Sequence, residues 1–149
     1  HYGVDHLKAG QYFSVEDVKA VEKSQGTPIM EGDVVLFHTG WTDAKLESDP
    51  VAWATAEPGQ SEEVAAYIAS KKVVAVGADT WGLDVIPSQV AERPYHGHVI
   101  YLKENGIYIF EAMNTGPLIR DEAYEFLFVL GQAKVRGAVQ MIINPIAIR

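Results

Sequence analysis

Apolar and polar positions change their period several times along this chain, and each change marks an element. Ser14-Val15-Glu16-Asp17 reads as a helix start, with Ser14 as N-cap and Asp17 three residues on. Val15, Val18 and Val21 then fall near helical spacing, and Gly26 is a natural C-terminal stop. The turn Glu31-Gly32-Asp33 leads into an apolar run ending at His38, which predicts a strand. Gly40-Trp41 opens a polar stretch that runs to Pro58-Gly59, with a turn at Asp49-Pro50. Ser61-Glu62-Glu63 starts a second helix. Its Val64, Tyr67 and Ile68 share one face, and Lys71-Lys72 suit the negative end of its dipole. Val73 through Ala78 is continuously apolar and predicts a strand buried on both faces. The stretch from Ile86 to Gly97, with Pro87 and Pro94, has no regular pattern.

Two further runs, Val99-Ile100-Tyr101-Leu102 and Ile107-Tyr108-Ile109-Phe110-Glu111, flank the turn-like Lys103-Glu104-Asn105-Gly106 and predict a β-hairpin. Beyond them, Asp121 to Tyr124 is expected to begin a helical turn. Phe126–Leu130, and Met141–Ile143 through Ile146–Ile148, are expected to be strands. Helix and strand patterns mix along the chain, so the fold class is α/β or α+β. With no repeat, low-complexity tract or linker, residues 1–149 are expected to form a single domain.

Within this frame one residue changes the picture. Side chains on a strand alternate faces, so Glu111 is expected to share a face with Ile107 and Ile109. A carboxylate on an apolar face is costly unless a cation or several donors meet it. His98 opens the preceding run, so the expected hairpin would bring an imidazole and a carboxylate together on a metal or a proton. His96 would share the strand face of His98. Asp79 follows the buried strand, where it either holds a ligand or histidine or caps the turn. Trp81 either walls a pocket or packs. His38 is expected to be structural.

Composition narrows the chemistry. A net charge of −8 without a basic stripe argues against nucleic acid as a partner. No apolar run approaches the ~20 residues needed to span a bilayer. The chain has no cysteine, so any metal must be held by His, Asp or Glu, and a cytoplasmic location is expected. There is no Gly-rich phosphate loop and no Gly-x-Ser-x-Gly elbow.

Several blocks occur in one order: Gly32 through Trp41, Val76-Gly77-Ala78-Asp79-Thr80-Trp81-Gly82, His98 through Glu111, and the closing Asn144-Pro145-Ile146-Ala147-Ile148. Together they resemble the C-terminal half of the cyclase family of metal-dependent hydrolases, which includes bacterial kynurenine formamidase, isatin hydrolase and a trans-dienelactone hydrolase. The resemblance implies a swivelling β/β/α fold, here lacking its N-terminal part. It also implies hydrolysis of an amide, lactam or lactone of a small, ring-containing substrate beside divalent zinc or manganese. In that pattern His98 and Glu111 belong to the metal and catalytic centre. Trp81, Thr80 and Trp41 would line the substrate pocket, and Asp79 would brace the ligands from behind. A homodimer or homotetramer is expected.

The sequence departs from the family pattern in two ways. Gly97-His98-Val99 and Glu111-Ala112-Met113 replace the usual neighbours of the two ligands. The family's His-x-Gly-Thr-His-x-Asp motif is not present: from His38, its second His would fall at Thr42 and its Asp at Ala44. The chain, which opens on His1, therefore matches a family member cut off before its first metal ligands. Two rival readings stand beside the enzyme. One is a catalytically silent or truncated relative acting as a binding or assembly module, and the other is a small-molecule binding domain with Trp81 as a stacking platform.

Overall fold

The computed structural model describes residues 1–149 and has the mixed α/β architecture expected. Strands β1 (Tyr12–Phe13) and β3 (Gly59–Gln60) pair in parallel. A second sheet joins β2 (Val34–Phe37), β4 (Ala75–Ala78) and β5 (Tyr108–Phe110), all parallel, with β4 in the centre. Strands β6 (Leu127–Val129) and β7 (Ile146–Ile148) form a separate antiparallel pair.

Local chemistry explains the helix ends. Helix α1 (Val15–Gln25) begins with the expected capping box. The Ser14 hydroxyl accepts from the Asp17 amide at 3.2 Å, and the Asp17 carboxylate accepts from the Ser14 amide at 2.8 Å. It ends on Gly26 at φ 71°, a left-handed cap that glycine takes without a Cβ penalty. Helix α4 (Glu62–Ser70) starts on the Ser61 hydroxyl. It stops just short of the Lys71-Lys72 pair that was expected to lie in its last turn, with Lys72 at φ 58°.

The core lies between α4 and the central strand. Val64, Ala65, Ile68 and Ala69 of α4 bury against Val76 and Ala78, joined by Val18, Phe13, Leu83, Ile100, Tyr101 and Ile107. All four residues of β4 are buried, as the continuous apolar run predicts.

The structure corrects the expectation in four places. The polar stretch after Gly40 holds two short helices, α2 (Trp41–Lys45) and α3 (Pro50–Thr55), the latter capped by Asp49. The hairpin before Glu111 does not form. Residues His96–His98 make a single helical turn (α5) that continues as a π-helical turn over Val99–Asn105. The burial explains why: Ile100 and Tyr101, adjacent in sequence, are both buried while Leu102 is exposed. That is a one-sided helical surface resting on α4, not the alternation of a strand. The helical turn near residue 121 comes earlier, as α6 (Gly116–Arg120). Met141–Ile143 is not a strand, and Ile142 is fully exposed there. No helix is long and apolar enough to cross a membrane.

Candidate active site

The C-terminal ends of the three parallel strands converge on one edge of the sheet, where α/β folds commonly place ligands. Glu111 immediately follows β5. Its position is fixed by backbone bonds that prolong the β4–β5 contact: Ala112 N–H to Thr80 O at 2.8 Å and Met113 N–H to Ala78 O at 2.9 Å. His98 arrives from the other side, at the end of α5. Its Nε2 lies 3.1 Å from Glu111 Oε1, and its Nδ1 lies 3.1 Å from Asp84 Oδ2. The two side chains singled out by the sequence therefore meet, but through a helical turn and a parallel strand rather than across a hairpin.

His96 does not join them. On the helical turn it points elsewhere, with Nε2 3.6 Å from Glu62 Oε1. Tyr95, at the N-terminal end of α5, presents its ring edge-on to His98, with centroids 5.7 Å apart, and approaches Trp81 at 6.3 Å. Leu83, Tyr95 and Ala112 all have positive φ, between 51° and 60°. Each adjoins or touches a member of the cluster, and strained backbone of this kind concentrates at functional sites.

Electrostatics follow from the packing. Burial works against a charged His98, but hydrogen bonds to Asp84 and Glu111 and their charges outweigh it, and the imidazole is pushed up to about 9. At neutral pH it is an imidazolium held between two carboxylates.

A third carboxyl, Glu57, is fully buried. Burial pushes it up, amide N–H groups of Trp81 and Gly82 pull it back, the charges of Glu111 and Asp79 push it further, and it reaches about 8. Its Oε2 accepts from the Trp81 amide at 2.8 Å, while its Oε1 has no partner.

The remaining candidates separate into two groups. Trp81 is at the site, half-buried, with its indole N–H donating to Trp53 O at 2.8 Å. Asp79 touches neither His98 nor Glu111. Its Oδ1 accepts from Thr39 N–H at 2.7 Å and Thr39 Oγ1 at 2.8 Å, and its Oδ2 from Thr42 N–H at 3.4 Å. It thus ties β4 to the start of α2, a capping role. Thr80 is fully buried with Oγ1 unpartnered. Trp41 is also buried, with His6 and Lys45 near its ring. His38 donates to or accepts from Thr115 Oγ1 at 2.8 Å, a structural contact.

The sequence reading missed Asp84, Glu57 and Gln60, whose amide donates to Asp84 at 2.9 Å. Asp84 had a signal: it stands between Leu83 and Val85-Ile86, an acid flanked by apolar residues, as Glu111 is. Glu57 carried only its place before Pro58-Gly59.

The family model described as "Putative cyclase" matches residues 3–85. The chain belongs to this cyclase family. A solved structure of a protein described as a novel cyclase superposes with a TM-score of 0.81 at 26% identity, over 96% of this chain and 48% of that one. The present cyclase chain thus spans about half the length of that solved relative. No curated protein matches it. The blocks around Gly32–Trp41 and Val76–Gly82 fall within the matched family region, whereas His98 and Glu111 lie beyond it.

Whether the site suits a divalent cation can be tested on its donors. Zinc takes His nitrogen and carboxylate oxygen at ~2.0–2.2 Å, so two such atoms 3.1 Å apart fit the coordination sphere of one ion. The unpartnered Glu57 Oε1 and Thr80 Oγ1 leave polar atoms unsatisfied near the same end of β4. No three His, Asp or Glu side chains of the chain gather in a metal-holding arrangement. His98 and Glu111 therefore fit as one edge of a cation site whose other ligands are not among these residues.

Proposed function

We propose that this cyclase chain carries one half of the catalytic centre of a metal-dependent hydrolase acting on an amide, lactam or lactone of a small ring-containing substrate. The observation that carries the reading is the approach of His98 Nε2 to Glu111 Oε1 at the C-terminal edge of a parallel sheet. A bound zinc or manganese ion would activate water near neutral pH and polarise the scissile carbonyl. His98 and Glu111 would hold it. Asp84 keeps the imidazole oriented, and the ring edge of Tyr95 limits its rotation. Glu111 also lies where a carboxylate can accept a proton from water and return it to the leaving nitrogen or oxygen. Trp81 and Tyr95 offer aromatic surface to a flat ring.

A second reading, an assembly module, is favoured by a separate observation. A cleft of about 1130 Å³ runs along β2, the free edge of the sheet, lined by Val34, Leu36, Phe126 and Phe128 among others. The β6–β7 pair exposes Leu127, Ile146 and Ile148. Both surfaces suit a further protein partner, including a second copy in a homodimer or homotetramer.

Metal analysis of the purified chain, followed by zinc and manganese titration, separates the readings. We expect binding that Glu111→Gln weakens at least ten-fold. Wild-type metal affinity in Glu111→Gln would overturn the assignment, and a chain that binds neither metal would support the assembly module.

A further inference from the structure

Strand β2 has a neighbour on one side only, since the sheet runs β2–β4–β5. The Asp33 carbonyl accepts from the Val74 amide at 2.9 Å, at the start of the β2–β4 ladder. Backbone groups of successive strand residues point to alternate sides. Val35 and Phe37 therefore also face β4, while the N–H and C=O of Val34 and Leu36 face the open edge. Natural edges are commonly blunted by lysine, proline or a bulge, and Val34-Val35-Leu36-Phe37 has none of the three.

The cleft along this edge reaches both faces of the strand. Val35 and Phe37 pack on the core that holds Val18 of α1. Leu36 lies on the other face, where it and Phe110 close around Gly77, and Phe128 of β6 stacks on Phe110 with ring centroids 5.5 Å apart. Val18, Val21, Leu36 and Phe128 all line the cleft. A strand laid beside β2 would thus send its side chains alternately to two apolar walls.

The rim selects that strand by charge. Asp5, Asp17, Glu22, Asp33 and Glu125 line the cleft, and no lysine or arginine does. Only Asp17 meets a basic side chain, His1 at 2.9 Å. A second copy of this chain, itself at net charge −8, would bring like charge to the rim.

We propose that β2 takes an added strand from a separate protein: an extended segment with apolar side chains on both faces and lysine or arginine at its ends. Main-chain bonds to Val34 and Leu36 would hold it, the two apolar walls would take its side chains, and the carboxylates of the rim would meet its flanking cations. The inference deepens the assembly-module reading and rests on it, and it requires no metal at His98 and Glu111.

The full chain, labelled at its backbone nitrogens, is titrated with a synthetic peptide in which a run of valine and isoleucine is flanked by lysines. The same run flanked by glutamates is titrated in parallel, and amide hydrogen exchange is read by NMR. The lysine-flanked peptide is expected to bind and to slow exchange at Val34 and Leu36, while Val35 and Phe37, already bonded to β4, change little. The glutamate-flanked peptide is expected to bind about ten-fold more weakly. Asp5→Lys/Glu125→Lys, at two exposed positions, is expected to narrow that difference. Binding that leaves exchange at Val34 and Leu36 unchanged overturns the strand site, and equal affinity for the two peptides overturns its charge rule. Protection of these two amides in the chain alone, growing with concentration, would make a second copy the occupant and overturn the proposal. Self-association through the β6–β7 pair, with the β2 amides unprotected and no peptide bound, would keep the assembly reading and remove this one. A chain that neither takes a peptide nor associates with itself would lose both.

Discussion

Asp79 and Asp84 flank the same turn and are both almost wholly buried, yet they do different work. Asp79 meets only backbone amides and a threonine hydroxyl, and it fastens β4 to the start of α2. Asp84 meets a side-chain amide and an imidazole, a group that can gain or lose a proton. Burial is similar and the residue type is the same, so the difference lies in the partners. A buried carboxylate that meets only fixed donors holds the fold, and one that meets a titratable partner shapes chemistry. Glu57 stands between the two cases. It holds the Trp81–Gly82 turn through amides, and it keeps one oxygen unpaired beside the chemical cluster.

The comparison breaks most visibly at Asp79. Asp79→Ala leaves the amide and hydroxyl of Thr39 without an acceptor in a buried place, so we expect a loss of ~3 kcal/mol in stability. Urea unfolding would measure it. If Asp84→Asn cost as much, the division between structural and chemical carboxylates would not hold.

A smaller effect separates Glu57 from both. Its folded value of about 8 lies above the ordinary 4.5, so the folded state holds a proton that the unfolded chain has released. The stabilisation is therefore full below pH 4.5 and is lost as pH rises through 8. His98 adds the same sign over a later window, between its ordinary 6.5 and about 9. Thermal melts are expected to show a Tm that declines from about pH 5 to about pH 9. Glu57→Gln should flatten the early part of the decline, and His98→Gln the later part. A Tm that rises across that range would contradict both assignments.

The smallest expected change is at Trp81. Trp81→Phe keeps an aromatic face beside Tyr95 but removes the bond from the indole N–H to Trp53 O, at a cost of ~1 kcal/mol. Metal affinity should be unchanged, because the indole makes no hydrogen bond to His98 or Glu111. A loss of affinity would show that the ring also braces the cluster.

What the sequence revealed depended on the range of the interaction. The capping box at Ser14 and Asp17, the Gly26 stop and the buried run ending at Ala78 are local signals, and all appear as expected. The parallel pairing of β5 with β4 is not local. Without it, Val99–Leu102 reads as the partner strand of Ile107–Glu111, whereas Ile100 and Tyr101 in fact serve a helical surface against α4 and Leu102 is exposed. Glu111 stood out because an acid closed an apolar run. Gln60 and Tyr101 had no such mark, since the bond from the Tyr101 hydroxyl to Gln60 Oε1 exists only once β3 and the π-helical turn are side by side. The same limit applied to Asp79: its position after a buried strand suggested either a ligand or a cap, and only the location of Thr39 decides for the cap.

The left-handed backbone at Leu83, Tyr95 and Ala112 has a consequence for anyone engineering this chain. Glycine at Ala112, the smallest of the three side chains, would relieve a torsional penalty and raise heat tolerance, whereas at the buried Leu83 it would open a cavity that costs more than it relieves. The Ala112 replacement would also slacken the segment that presents Glu111. The easiest gains in robustness therefore sit where looseness would do most harm, and a thermostable variant should be sought elsewhere on the molecule.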